Sequence, residues 1–279
     1  MAKKSSIYNY LALTLFSVLA GWWLYLRLGE SSDDAKELFS ACYGLMALFG
    51  AFVGLKTSKL WGGYKSLIGR SVLFLSLGLL AQEFGQISYS LYTVFLDKEI
   101  PYPSIGDLGY AGSIFLYAYG LISLGRALSI RFTSKTFGKN IFSVFLPLAM
   151  LVVSYVEFLR DYSFEGASKL VVALDFGYPF GQAIYVSMAI LVFFLSRKYL
   201  GGKMRPSILA IIFALIIQYA SDFTFLFQTN RGTWTTAGIN DFLYLVSYLA
   251  MTTAIIKLYK VNETLLTAGD QTQSSEEAS

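Results

Sequence analysis

Eight stretches of this chain are apolar for long enough, or nearly so, to cross a bilayer core, which takes roughly 20 apolar residues per helix. They run Ile7 to Arg27, Leu38 to Leu55, Leu67 to Leu96, Asp107 to Leu128, Ile141 to Leu159, Leu170 to Leu195, Pro206 to Phe227 and Asn240 to Leu258. Only 14% of the residues are charged, against about 25% in an ordinary soluble domain. A segment surrounded by lipid must pair its own backbone groups, so the predicted fold is all-α: a polytopic membrane helix bundle of eight transmembrane helices over residues 1–258. The remainder, 259–279, is polar and reads as a disordered tail. The first segment follows Lys3 and Lys4 and has a conceivable signal-peptide cleavage point at Ala20-Gly21. Its apolar run continues through Trp22, Trp23 and Leu26, however, and reads as a retained helix.

Basic residues in short loops stay on the cytoplasmic side. With the N-terminus inside, sixteen of the 22 basic residues fall at cytoplasmic ends. They cluster at Lys3 and Lys4, Lys56 to Arg70, Arg126 to Lys139, Arg197 to Arg205, and Lys257 and Lys260. Both termini are therefore expected in the cytoplasm of a cell, with a prokaryotic plasma membrane as the setting. The net charge of +4 belongs to this inner collar, whose partner is the anionic lipid surface and not nucleic acid.

The acids are distributed the other way. Glu30, Asp33, Asp34, Glu37, Asp97, Glu99, Glu157, Asp161 and Glu165 read as solvated charges of the outer face. Five others lie in or at the ends of apolar segments: Glu83, Asp107, Asp175, Asp222 and Asp241. A charge at such a depth costs about 2.5–3.5 kcal/mol on insertion scales, so it is expected to face the bundle interior, a partner or water. Three of them share a pattern, Asp-x-x-Tyr, in Asp107 to Tyr110, Asp175 to Tyr178 and Asp241 to Tyr244. Each opens a helix running inward from the outer face, where free N–H groups favour a carboxylate. The tyrosine three residues on shares its face, at a depth suited to interfacial aromatics. Ser104 and Asp107 have capping-box spacing, and Pro179 predicts a kink or irregular turn after Asp175. Gln86 follows Glu83 by one turn, Gln182 lies seven residues after Asp175, and Gln218 lies four before Asp222.

Together Glu83, Gln86, Asp107, Tyr110, Asp175, Tyr178, Gln182, Gln218, Asp222, Asp241 and Tyr244 are expected to form one outward-facing polar site. Only Arg231, Arg160 and Lys169 lie near enough in sequence to neutralise it. An acid cluster short of bases must protonate, bind a cation, or accept donors from a polar ligand; the bland alternative is that Tyr, Ser, Thr and Gln donors satisfy it as interhelical glue.

Several chemistries are excluded. With no histidine in the chain, His-ligated haem, His-containing zinc sites, His-based triads and a phosphorelay histidine are absent. Cys42 is the single cysteine and reads as packing. Every lysine lies in a loop or at a helix end, which disfavours a retinal protein. No nucleotide-binding loop or spaced catalytic set appears, so no enzyme activity and no cofactor is expected.

Gly85-Gln-Ile-Ser-Tyr89 and Pro101-Tyr-Pro-Ser-Ile-Gly-Asp107-Leu-Gly-Tyr110, within Gly69 to Leu121, resemble the multi-helix N-terminal membrane module of bacterial GGDEF diguanylate cyclases and of some sensor histidine kinases. Asp175-Phe-Gly-Tyr178-Pro179 resembles that module's acidic helix start. Ala220-Ser-Asp222-Phe with Asp241-Phe-Leu-Tyr244 resembles its closing helix pair. The resemblance spans about Gly69 to Lys257 and implies a sensory module, here followed by a tail too short for a cyclase or kinase. A separate cytoplasmic or membrane signalling partner is then expected, with a cation or small polar ligand at the outer site. The competing readings are a cation- or proton-coupled transporter with Glu83 as its mid-membrane link, and a structural membrane protein.

Overall fold

The computed structural model describes residues 4–96, 98, 100–128, 130, 141–196 and 204–276. Among them every regular element is helical. In chain order they are α1 (Lys4–Leu28), α2 (Asp33–Cys42), α3 (Leu45–Leu60), α4 (Leu67–Ser90), α5 (Gly106–Ala127), α6 (Ile141–Ser154), α7 (Lys169–Ser196), α8 (Arg205–Asn230) and α9 (Ile239–Glu276). A π-helical turn extends α4 over Leu91–Phe95, and another extends α6 over Tyr155–Leu159.

Seven helical segments are long and apolar enough to cross a membrane, with α2 and α3 counted as one segment from Asp33 to Leu60. The chain is thus a multi-pass membrane helix bundle. The expected span from Ile141 to Leu159 is the exception: its apolar helix, Phe145–Leu159, is shorter than the other seven. The expected loop charges Lys3, Asp97, Glu99, Arg131, Lys135, Lys139, Arg197, Lys198 and Lys203 lie outside the described residues.

Local chemistry accounts for the boundaries. Ser32 caps α2 by accepting from the Ala35 N–H, and Ser66 caps α4 by accepting from the Gly69 N–H at 2.8 Å. The turn before α4 needs Gly62 at φ +85°, a left-handed conformation that costs glycine little. Pro206 stands in the first turn of α8, where its missing N–H has no helical partner to lose. The capping-box spacing before α5 is used from the acidic side: Asp107 Oδ2 accepts from the Ser104 N–H at 2.7 Å.

Six helices close a ring. α3 packs on α4, α4 on α5, α5 on α7, α7 on α8, α8 on α9, and α9 returns to α3. Two helices sit outside it, α1 against α9 and α6 against α7. The buried apolar residues of α1 are Ala12, Leu19 and Leu26, one stripe at seven-residue spacing; Leu11, Leu13, Val18 and Leu24 on its other faces are exposed and suit lipid. Ring contacts rest on small residues. A Cβ on Gly78 of α4 would meet the Tyr117 ring of α5 at 2.3 Å, and one on Gly109 of α5 would meet the Ala81 carbonyl oxygen at 2.3 Å. On α3, Gly50 and Gly54 lie against Thr252 of α9 and Ser76 of α4.

Three sequence expectations change. Asp33, Asp34 and Glu37 belong to a helix and not a loop, because the second span starts at Asp33 and is broken at Tyr43-Gly44. No irregular turn follows Asp175, since α7 runs through Pro179. The polar tail continues α9 to Glu276. Its first turns are held by packing: the Tyr259 ring meets Tyr8 edge-on at 5.3 Å, Asn262 Nδ2 donates to the Leu60 carbonyl at 3.3 Å, and Glu263 Oε2 accepts from the Ser5 N–H.

Candidate functional site

The ring encloses a cavity of about 590 Å³ at the end where α5, α7 and α9 begin and α4 and α8 finish. Four of the five predicted carboxylates line it, Asp107, Asp175, Asp222 and Asp241, together with Gln86, Tyr110, Tyr178, Gln182 and Tyr244. Nine of the eleven sequence candidates therefore converge. Gln218 stands one layer behind, 2% exposed, donating from Nε2 to Asp222 Oδ1 at 3.0 Å and accepting from Ser247 Oγ at 2.6 Å.

Glu83 does not line the cavity. It is 4% exposed and turned toward the α2–α3 break, where a Cβ on Gly44 would lie 2.0 Å from its Oε2. That oxygen has no hydrogen-bond partner. The expectation that Glu83 links the outer acids to the interior fails on direction: its neighbour Gln82 faces the cavity in its place, donating to Ser113 Oγ at 2.8 Å and accepting from Tyr248 at 3.4 Å.

Each cavity carboxylate is an acceptor for protein donors from other elements. Asp107 Oδ1 accepts the Tyr178 hydroxyl at 2.6 Å. Asp175 accepts Tyr102 at 2.5 Å and Tyr162 at 2.7 Å, both from loops over the cavity. Asp222 accepts Tyr185 at 3.0 Å and Tyr244 at 2.9 Å in addition to Gln218. Asp241 Oδ2 accepts Ser40 of α2 at 2.7 Å and the Ala237 N–H at 2.9 Å. Tyr102 and Tyr162 are held above the ordinary tyrosine range, Tyr102 by burial and then by Asp175, Tyr162 first by its hydrogen bond to Asp175. Both loop phenols therefore keep their protons and remain donors.

The recurring Asp-x-x-Tyr pattern acquires a geometric reason. The tyrosine of each copy reaches the helix before it in the ring: Tyr110 of α5 donates to Gln86 of α4 at 3.2 Å, Tyr178 of α7 to Asp107 of α5, and Tyr244 of α9 to Asp222 of α8. The tyrosines expected as interfacial anchors thus turn inward and tie successive helices together.

No cation among the described residues pairs with these acids. Among the described residues the ion pairs are Lys36 with Asp33 at 2.8 Å and Arg231 with Glu157 at 3.6 Å. Arg231, expected to serve the site, is spent on Glu157 and on the Phe227 ring, 3.8 Å below its guanidinium. Arg160 and Lys169 are exposed and pair with none of the cavity acids. The described residues contain no group of three or more acidic or cysteine side chains placed to hold a metal ion.

Much of the wall is aromatic. Tyr43, Tyr244 and Tyr248 stack, with centroids 6.0–6.4 Å apart. Trp234 lies edge-on to Tyr89 and to Phe225, each at 6.2 Å. Sequence reasoning missed Ser40, Tyr43, Gln82, Tyr102, Tyr162 and Trp234. Gln82, adjoining Glu83 in an apolar helix, carried a signal; the two loop tyrosines and Trp234 carried none, since only folding brings their loops over the ring.

Comparison with family models, with curated proteins and with solved structures returned no match to this chain.

Proposed function

We propose that the protein is an integral membrane receptor-like sensory module whose acidic and aromatic cavity opens to the outside, with α6 crossing as an eighth span and both termini in the cytoplasm. One observation carries this reading: the polar cavity ends inside the bundle. Below Gln82 and Gln218 the ring is filled mainly by Leu75, Leu79, Leu121, Ile211, Leu215 and Met251, each at most 2% exposed, and the buried Ser76 and Thr252 hydroxyls among them donate to carbonyls of their own helices. The buried charged residues among those described are Glu83, Asp222 and Asp241, all toward the cavity end. A permeating ion would meet an apolar plug, whereas a receptor needs only that ligand binding favour one packing of helices over another. Ring helices tied by tyrosine–carboxylate bonds at the cavity give a bound ligand the means to shift that packing. The resemblance to the sensory modules of cyclases and kinases is in line with this reading, on which the output lies on the side opposite the cavity.

A second reading has an observation in its favour. Every cavity carboxylate already has donors within the protein, as structural glue requires. Glue, however, has no use for a cavity of about 590 Å³, a volume in the range of small-molecule sites.

Reconstitution in liposomes tests the proposal against transport. The expected result is no proton- or potassium-driven flux above that of protein-free vesicles. A flux that Asp222→Asn abolishes would overturn the sensory reading.

A further inference from the structure

The cavity of the proposed receptor has features that select among ligand classes, and this inference rests on that reading. Among the described residues four carboxylates line it and no lysine or arginine does. A cleft of one sign with low-dielectric walls concentrates the opposite charge. The described acids hold no metal-binding group, and the space is far larger than a bare ion needs.

Two unpaired groups narrow the choice. Asn240, 1% exposed, lines the cavity beside Asp241. Its Nδ2 donates to the Ser221 carbonyl at 2.9 Å, which settles the sense of the amide, because the flipped form would set two carbonyl oxygens together. Its Oδ1 is then a buried acceptor with no donor. The indole N–H of Trp234, also on the cavity wall, is a buried donor with no acceptor. Leaving such groups unpaired is costly, and a ligand with N–H donors at one end and an acceptor oxygen elsewhere satisfies both. The stacked Tyr43, Tyr244 and Tyr248 supply flat faces for a ring and for a cation.

We infer that the cavity binds an organic ammonium of the hydroxyaryl-alkylamine class, its charged nitrogen among Asp222, Asn240 and Asp241, its ring against the stacked tyrosines and its hydroxyl oxygen the acceptor for the Trp234 N–H.

The test uses the full chain with Cys42→Ser and Thr229→Cys, an exposed residue of the cavity wall, in intact cells. Two membrane-impermeant thiol reagents are compared: the trimethylammonium-ethyl and the sulfonatoethyl methanethiosulfonates, each rate normalised to that with a free thiol. The cationic reagent is expected to be favoured by at least about tenfold. Tyramine should slow labelling saturably, while its neutral analogue tyrosol and the anionic 4-hydroxyphenylacetate should not. Equal normalised rates, protection by tyrosol as strong as by tyramine, or no protection by tyramine would overturn the inference. In each of those cases a cysteine that still reacts from outside leaves the outward cavity standing. A cysteine that reacts with neither reagent until the membrane is permeabilised removes the outward cavity itself, and the ammonium site with it.

Discussion

Glu83 and Asp222 are buried to the same degree, 4% and 5% exposed, yet their surroundings oppose one another. Three donors converge on Asp222, from Tyr185, Gln218 and Tyr244. An asparagine there would turn N–H groups toward donors, and the Gln218 amide cannot turn without giving up Ser247. Asp222→Asn is therefore expected to lower stability in mild detergent by about 1–2 kcal/mol. Glu83 Oε2 has no donor, so Glu83→Gln removes a charge without stranding a partner, and its thermal midpoint should equal or exceed wild type. Thermal unfolding of the two variants side by side checks the pair; a larger loss for Glu83→Gln would mean that Glu83 is held by a partner the geometry does not show.

The contact between α4 and α5 is the most extensive in the ring, and glycines set its spacing. Tyr117 is 1% exposed with no room to retreat, and its ring stands 2.3 Å from where a Gly78 Cβ would be. Gly78→Ala should cost about 1–3 kcal/mol, as overpacking of a well-filled core does. Gly112, on the same α5, has nothing within 4 Å of its Cβ position. Gly112→Ala should be neutral or gain about 0.5–1 kcal/mol through helix propensity alone. Equal effects from the two alanines, read by the same unfolding assay, would mean that the helices do not approach as closely as described.

Seen as a whole, the molecule has two unlike ends, one with the acidic cavity and one with the short α3–α4 turn and its basic neighbours Lys56, Lys59, Lys65 and Arg70. On the proposed orientation, which follows the positive-inside bias, the second end faces the cytoplasm. With Cys42 replaced, Thr233→Cys in the α8–α9 loop should react with an impermeant maleimide in intact cells. Tyr64→Cys, 57% exposed at the other end, should react only after permeabilisation. The reverse pattern would turn the cavity inward and overturn the receptor reading.

The helices and most of the cavity acids were legible in the sequence because each follows from a local cost. Long apolar runs have no stable form in lipid other than a helix, and a charge in such a run must point inward. Those two rules were enough to predict that Asp107, Asp175, Asp222 and Asp241 share a site. They say nothing about which inward direction a side chain takes, so Glu83, which obeys the same rules, was placed in the cavity when it lies against Gly44. Partners were equally out of reach: Tyr178 meeting Asp107, or Tyr102 and Tyr162 meeting Asp175, depends on ring order and loop paths, which are properties of long-range packing. The extent of α9 beyond Leu258 was likewise decided by contacts with Tyr8, Leu60 and Ser5. Depth and helicity are set segment by segment, whereas azimuth and partnership exist only once six helices close on one another.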